Sequence, residues 1–178
     1  MNCKKPWWLK SEGRMLNRLG VRRLNRFVNH LLLLRDSSTC LNVCEVNLGA
    51  IWSLDDPCVS LWIRHALLCQ TRALQVHLSI DNDSYELEDV ALVSQRLMRL
   101  DLCNMVLKDY FLNFSCCPVL KELLMRKCCI KARKISSKSL KRLPAVDCSF
   151  YSYPRVRIFL PSLVALELTG RQENTPVL

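Results

Sequence analysis

One short pattern recurs four times in the second half of the chain, and its spacing leaves few folds open. Leu97-Met-Arg-Leu100-Asp-Leu102, Leu120-Lys-Glu-Leu123-Leu-Met125, Leu140-Lys-Arg-Leu143-Pro-Ala145 and Leu163-Val-Ala-Leu166-Glu-Leu168 share the form L-x-x-L-x-apolar. Their starts lie 23, 20 and 23 residues apart. Weaker copies stand upstream at Ala73-x-x-Val76-x-Leu78 and Leu41-x-x-Cys44-x-Val46. In an extended strand alternate side chains face opposite ways, so the fourth and sixth positions share one inward face. A single copy cannot bury that face, and neighbours must stack to share a core.

Cys128 with Ile130, and Cys148 with Phe150, fall at the later positions of L-x-x-L-x-L-x-x-N/C-x-L, a signature with a period of roughly 20–29 residues. One L-x-x-L also fits a helix, but four copies at near-constant period disfavour a set of unrelated Leu-rich helices. The fold class expected is therefore α/β: a leucine-rich-repeat solenoid with a parallel sheet on its concave side and helices and irregular segments on its convex side. The spacing predicts strands around 41–48, 74–80, 98–103, 121–126, 142–147 and 164–169, stacked in chain order. Leu100, Leu102, Leu123, Met125, Leu143, Leu166 and Leu168 should be buried. Residues 1–35 form a basic lead-in with one helix, and 36–178 the repeat domain of about six irregular repeats.

Two helices are legible. Leu24, Phe27, Val28 and Leu31 fall on one face of a helix from about Val21 to Leu34, ended by Asp36-Ser-Ser-Thr39. Asp56-Pro57 is a helix start, and Val59, Trp62, Ile63, Ala66 and Leu67 keep the spacing of a buried stripe, predicting a helix over 57–70. Pro118 and Pro161 precede repeats, where strand N–H groups are least missed. Pro144 falls inside a strand and should remove one ladder hydrogen bond.

Composition narrows the function classes. The net charge of +10 is unevenly spread: residues 1–35 carry nine Lys/Arg against Glu12, and 121–142 carry nine more against Glu122. Asp81, Asp83, Glu86, Glu88 and Asp89 make an acidic loop between them. Asp81-Asn-Asp83 lacks the Gly and closing Glu of a calcium loop. Eleven cysteines without a C-x-x-C pair or an apolar leader suit reduced, buried thiols in an intracellular protein, cytoplasmic or nuclear. No metal or other cofactor is expected, since the Cys and His residues lack ligand spacing. No apolar run is long enough for a membrane span.

Several stretches together resemble a known family. Phe27-Val-Asn-His-Leu-Leu-Leu-Leu-Arg-Asp36, Leu61-Trp-Ile-Arg-His-Ala66, Phe114-Ser-Cys-Cys-Pro-Val-Leu120, Ile135-Ser-Ser-Lys-Ser-Leu-Lys-Arg-Leu143 with Val146-Asp-Cys148, and Pro161-Ser-Leu-Val-Ala-Leu-Glu-Leu168 are similar to the repeat region of plant F-box proteins, many of which end in an FBD domain. The resemblance covers about residues 24–176. It implies a substrate-recognition role in an SCF-type ubiquitin ligase, where the F-box holds a Skp-type adaptor and the repeats present an as yet unidentified protein substrate. A Leu-Pro-rich F-box expected ahead of Phe27 is not found in residues 1–20. No residue here therefore inherits adaptor binding, and the chain alone is expected not to join such a ligase.

No catalytic constellation emerges. Four glycines, at 13, 20, 49 and 170, are too few and too scattered for a P-loop, a dinucleotide fingerprint or a G-x-S-x-G elbow. What remains is surface. The outward strand positions are Gln75, His77 and Ser79; Arg99, Asp101 and Cys103; Glu122, Leu124 and Arg126; Arg142 and Val146; and Glu167 and Thr169. Their mix of charge, thiol and aliphatic groups suits a protein partner. The alternative class is nucleic-acid binding through Lys4-Lys-Pro-Trp-Trp-Leu-Lys10, where aromatics beside bases offer a stacking surface. It is the less favoured, because Trp7-Trp8 equally suits sealing a solenoid end and basic patches alone are weak signals.

Overall fold

The computed structural model describes residues 18–34, 41–51, 58–80, 84–89, 91–151, 155–170 and 176–177. The Lys4–Lys10 segment, Asp36-Ser-Ser-Thr39, the Asp56-Pro57 helix start and Asp81-Asn-Asp83 lie outside them. In chain order the elements are α1 (Arg18–Leu34), β1 (Val43–Ile51), α2 (Val59–Leu68), β2 (Ala73–Ile80), β3 (Tyr85–Glu86), β4 (Arg99–Cys103), β5 (Met105–Leu107), β6 (Glu122–Arg126), β7 (Cys129–Ile130), β8 (Lys134–Ser136), β9 (Arg142–Val146), β10 (Ser149–Phe150), β11 (Arg157–Phe159) and β12 (Ala165–Thr169).

Six of these strands form one parallel sheet in the order β1-β2-β4-β6-β9-β12, the chain order that the repeat spacing predicts. A second parallel sheet runs β10-β7-β5-β3, and β11 pairs with β8. The chain is thus mostly parallel sheet with few helices, wound as a β-solenoid of about four turns. Among the described residues, helices cover the back only at the start. From β3 onward the returning chain uses two- and three-residue strands instead of the helices expected there. The 20- and 23-residue repeats leave too little chain for a helix of ordinary length after strand and turns.

The inward faces of the two larger sheets meet in one core. Leu100, Leu102, Leu123, Met125 and Leu143 are all fully buried, as are Met105, Leu107 and Ile130 opposite them. Leu166 and Leu168 were expected to be buried too, but they are only partly so. They sit on β12, the last strand of the sheet, with no further described strand stacked on them.

The turns repeat as faithfully as the strands. Ser94 Oγ, the Cys117 carbonyl, Ser137 Oγ and the Leu160 carbonyl each accept the N–H of the leucine three residues on, at 3.1, 3.2, 3.2 and 3.0 Å. Buried Ser94 and Ser137 are thereby satisfied where the other turns use backbone. Pro118 and Pro161 stand one residue into these turns, where a fixed φ suits the bend.

The residue after each of β4, β6, β9 and β12 turns a corner. Asn104, Lys127, Asp147 and Gly170 all have positive φ, at 63°, 51°, 53° and 116°. Their position links the turns: the Asn104 N–H donates to the Arg126 carbonyl, Lys127 to Val146 and Asp147 to Thr169. Asn, Asp and Gly accept this conformation cheaply, whereas lysine does not. Lys127→Gly should therefore raise stability by about 0.5–1 kcal/mol, after glycine's greater unfolded-state freedom is subtracted. Urea titration reads the change; a loss of stability would mean that the corner is not strained.

Pro144 interrupts pairing as expected. β6 pairs with β9 at Glu122↔Arg142 and resumes only at Met125↔Ala145, while the β9–β12 register is continuous. The gap lies on the β6 side, consistent with a ladder N–H missing there.

Helix α2 buries Val59, Trp62, Ile63, Ala66 and Leu67, the predicted stripe. Its N-cap is Cys58, whose N–H donates to Asn25 Oδ1 at 3.3 Å; one turn on, Trp62 Nε1 donates to Asn29 Oδ1 at 3.3 Å. Helix α1 thus meets α2 through Asn25 and Asn29, and Val28 between them is buried. Phe27, expected on the buried face, is 50% exposed. Asn25 and Asn29, four residues apart on one side of α1, take the place that an apolar count gave to Phe27.

Candidate functional site

All thirteen outward positions named from the sequence lie on the outer face of the six-stranded sheet, because strand alternation fixes the face once the register is set. The pairings align them in rows across the strands. One row runs Ala73, Arg99, Glu122, Arg142, Ala165. A second runs Glu45, Gln75, Asp101, Leu124 and, past the interruption, Pro144 and Glu167. The third runs Asn47, His77, Cys103, Arg126, Val146, Thr169. Ser79 is exposed beyond the part of β2 that pairs with β4. Sequence reasoning omitted Val43, Glu45, Asn47, Ala73, Pro144 and Ala165 from this face; extending the same alternation would have found them.

The face centres on Asp101. Its neighbours cover it so well that only 3% of the residue is exposed. His77 from β2 and Arg126 from β6 reach it diagonally from both sides. His77 Nε2 lies 3.1 Å from Asp101 Oδ1, and Arg126 Nη2 donates to Oδ1 and Oδ2 at 3.0 Å each. Arg126 Nη2 also approaches His77 Nε2 at 2.9 Å. The three groups form a closed cluster around one carboxylate; His77 Nε2 carries either a hydrogen or a lone pair, so it donates to Asp101 when protonated and accepts from Arg126 when not. Burial pushes the Asp101 carboxyl up, but the hydrogen bonds and positive charge of His77 and Arg126 outweigh it, so the carboxyl sits below its ordinary range. Cys103 lies alongside, and burial pushes its thiol up despite the nearby Arg126.

One row toward the strand starts, Glu122 lies between two arginines. Arg99 Nη1 is 3.3 Å from Glu122 Oε2, and Arg142 Nε is 3.8 Å from Oε1. These pairs are largely exposed and hold little energy, so their charges stay available to a partner.

The described part of the acidic loop, Glu86, Glu88 and Asp89, is tied to its own surroundings. Glu86 pairs with Lys108, Glu88 with Arg64 at 2.5 Å, and Asp89 Oδ1 accepts the N–H groups of Tyr110 and Phe111. Behind this loop an apolar groove of about 330 Å³ runs beside α2, with Ile63, Leu67, Leu87, Leu92 and Phe111 in its lining. No motif in the sequence marks that groove.

Among the described residues no group of three or more His, Cys, Asp or Glu is placed to hold a metal ion. Nine described cysteines are free thiols. Cys128 Sγ donates to the Leu102 and Arg126 carbonyls at 3.6 and 3.3 Å. Burial pushes the Cys117 thiol up to about 11, which leaves it a poor nucleophile. No described helix is long and apolar enough to cross a membrane.

The fold and this face define a parallel β-solenoid that displays a broad, mixed-charge sheet. Comparison with protein-family models, with curated proteins and with solved structures gives no match.

Proposed function

We propose that the chain is a leucine-rich-repeat interaction module that holds a protein partner on the outer face of its six-stranded sheet. In the terms of the resemblance given by Phe114–Leu120 and Pro161–Leu168, it corresponds to the substrate-recognition repeats of an F-box subunit of an SCF ubiquitin ligase, and the partner is that ligase's substrate. The observation that carries the reading is the closed Asp101–His77–Arg126 cluster at the centre of the sheet. It fixes polar groups from three strands in one arrangement, and fixed groups lose less freedom when a partner docks. Leu124, Pro144 and Val146 give apolar contact beside the charges, the mixture usual in protein interfaces. In F-box proteins the F-box holds the Skp-type adaptor, and that contact is assigned to no residue numbered here.

The test uses a peptide array probed with the full chain and with Leu124→Arg. Leu124 is half-buried on the outer face, so the arginine blocks docking without entering the core. Peptides retained by the parent chain and lost by the variant support the reading. Retention that is indifferent to Leu124→Arg would place binding elsewhere and sink it.

A further inference from the structure

The edge of the six-stranded sheet where the strands begin is more basic than the face itself. Backbone bonds set neighbours there: Met98 donates to the Arg72 carbonyl, Lys121 to Met98, and Lys141 to Lys121. Arg72, Met98, Lys121 and Lys141 thus stand abreast on four successive strands. Arg99 and Arg142 follow in the next row, and Lys138 lies in the turn that leads to Lys141. All six cations are exposed, and Glu122 is the one acid in these rows among the described residues. The net charge of the edge is therefore strongly positive, whereas the next two rows hold Glu45, Asp101 and Glu167 against Arg126 and His77.

We infer that this edge binds an extended acidic peptide segment of the partner protein. The inference rests on the interaction reading above and names the chemistry of what is bound. Strands lie about 4.8 Å apart, so Arg72 and Lys141, three strands apart, are separated by about 14 Å. In an extended peptide, side chains on one face recur about every 7 Å, so carboxylates at i, i+2 and i+4 span the same 14 Å. An acidic strand laid across the sheet therefore meets Arg72, Lys121 and Lys141 in turn. Arg99 and Arg142 flank it from the next row. Nucleic acid fits less well. No described aromatic side chain stands in these two rows to stack a base, and Glu122 sits where a phosphate backbone would run.

The test is a fluorescence-anisotropy titration of the full chain with a labelled (Glu-Ser) repeat peptide, which as a strand carries all its carboxylates on one side. A labelled oligouridylate of equal length is the rival probe. Lys121→Glu/Lys141→Glu reverses the edge, and Lys131→Glu/Lys134→Glu makes the same change in net charge outside it. Circular dichroism checks that each variant is folded. The expected result is peptide binding that weakens at high salt and falls about tenfold or more in the edge variant alone. Equal loss in both double variants, tighter binding of oligouridylate, or no peptide binding would each overturn the inference. If array peptides are still lost on Leu124→Arg while the edge variant keeps its acidic peptide, the edge assignment fails and the face stands. If array retention is also indifferent to Leu124→Arg, the interaction reading fails as well.

Discussion

Leu123→Ala should destabilise the protein by about 2–5 kcal/mol, the range for leucine truncation in a closed core. Leu123 is fully buried on β6, near the middle of the sheet, and pairs with Leu100. Strands β4 and β9 lie on either side, so the cavity cannot close by moving a loop. β9 already lacks two pairings opposite this site because of Pro144, yet its own position is held from the far side by β12. The same truncation at Leu166 on the open end should cost much less, because Leu166 is only partly buried and water can fill the space. Urea unfolding of the two variants side by side makes the check. A loss below about 1 kcal/mol at Leu123, or equal losses at both sites, would contradict a core that is closed at β6 and open at β12.

Asp101→Asn should cost about 1.5–3 kcal/mol near neutral pH, the range for hydrogen bonds to a charged group. The amide keeps the shape but can no longer accept from both Arg126 and His77 on charged oxygens. The loss depends on pH in a defined direction. The folded-state pKa of Asp101 lies below its ordinary 3.8. Its contribution is therefore complete above that value and disappears as pH falls through the lowered folded pKa. The stability gap between parent and variant should be constant from neutral to mildly acid solution and should close in more acid solution. A gap that widens on acidification would mean that Asp101 is not held as a carboxylate by its neighbours.

The places where the sequence could be read, and where it could not, differ for physical reasons. Strand alternation has a period of two, so an error of two residues in alignment leaves every side chain on the correct face. That happened in β2. The pattern Ala73-x-x-Val76-x-Leu78 suggests Val76 as the partner of Leu100, whereas the structure pairs Leu74 with Leu100 and Val76 with Leu102. The first position of that copy is thus Thr71, fully buried, with its hydroxyl donating to the Ala66 carbonyl at 2.6 Å. A search for leucines passes over it. Gln75, His77 and Ser79 were nevertheless placed on the outer face. The Asp101 cluster was legible as three outward residues but not as a cluster, since His77, Asp101 and Arg126 come from three strands 24 and 25 residues apart.

What the sequence determined by itself was the solenoid's inner column: four leucine copies at near-equal spacing have one way to hide their apolar side, and stacked parallel strands follow from it. It also determined the α2 stripe, because helical spacing is local. Only the tertiary structure decided where the column ends, how the chain returns behind the sheet, and which charges meet on its face. Those depend on neighbours supplied by other turns: Leu166 is only partly buried because nothing described stacks on β12, Phe27 is exposed because Asn25 and Asn29 meet α2, and Asp101 is buried because His77 and Arg126 fold over it. A residue's own identity fixes which side of a strand it can face, but burial and pairing are properties of what lies beside it.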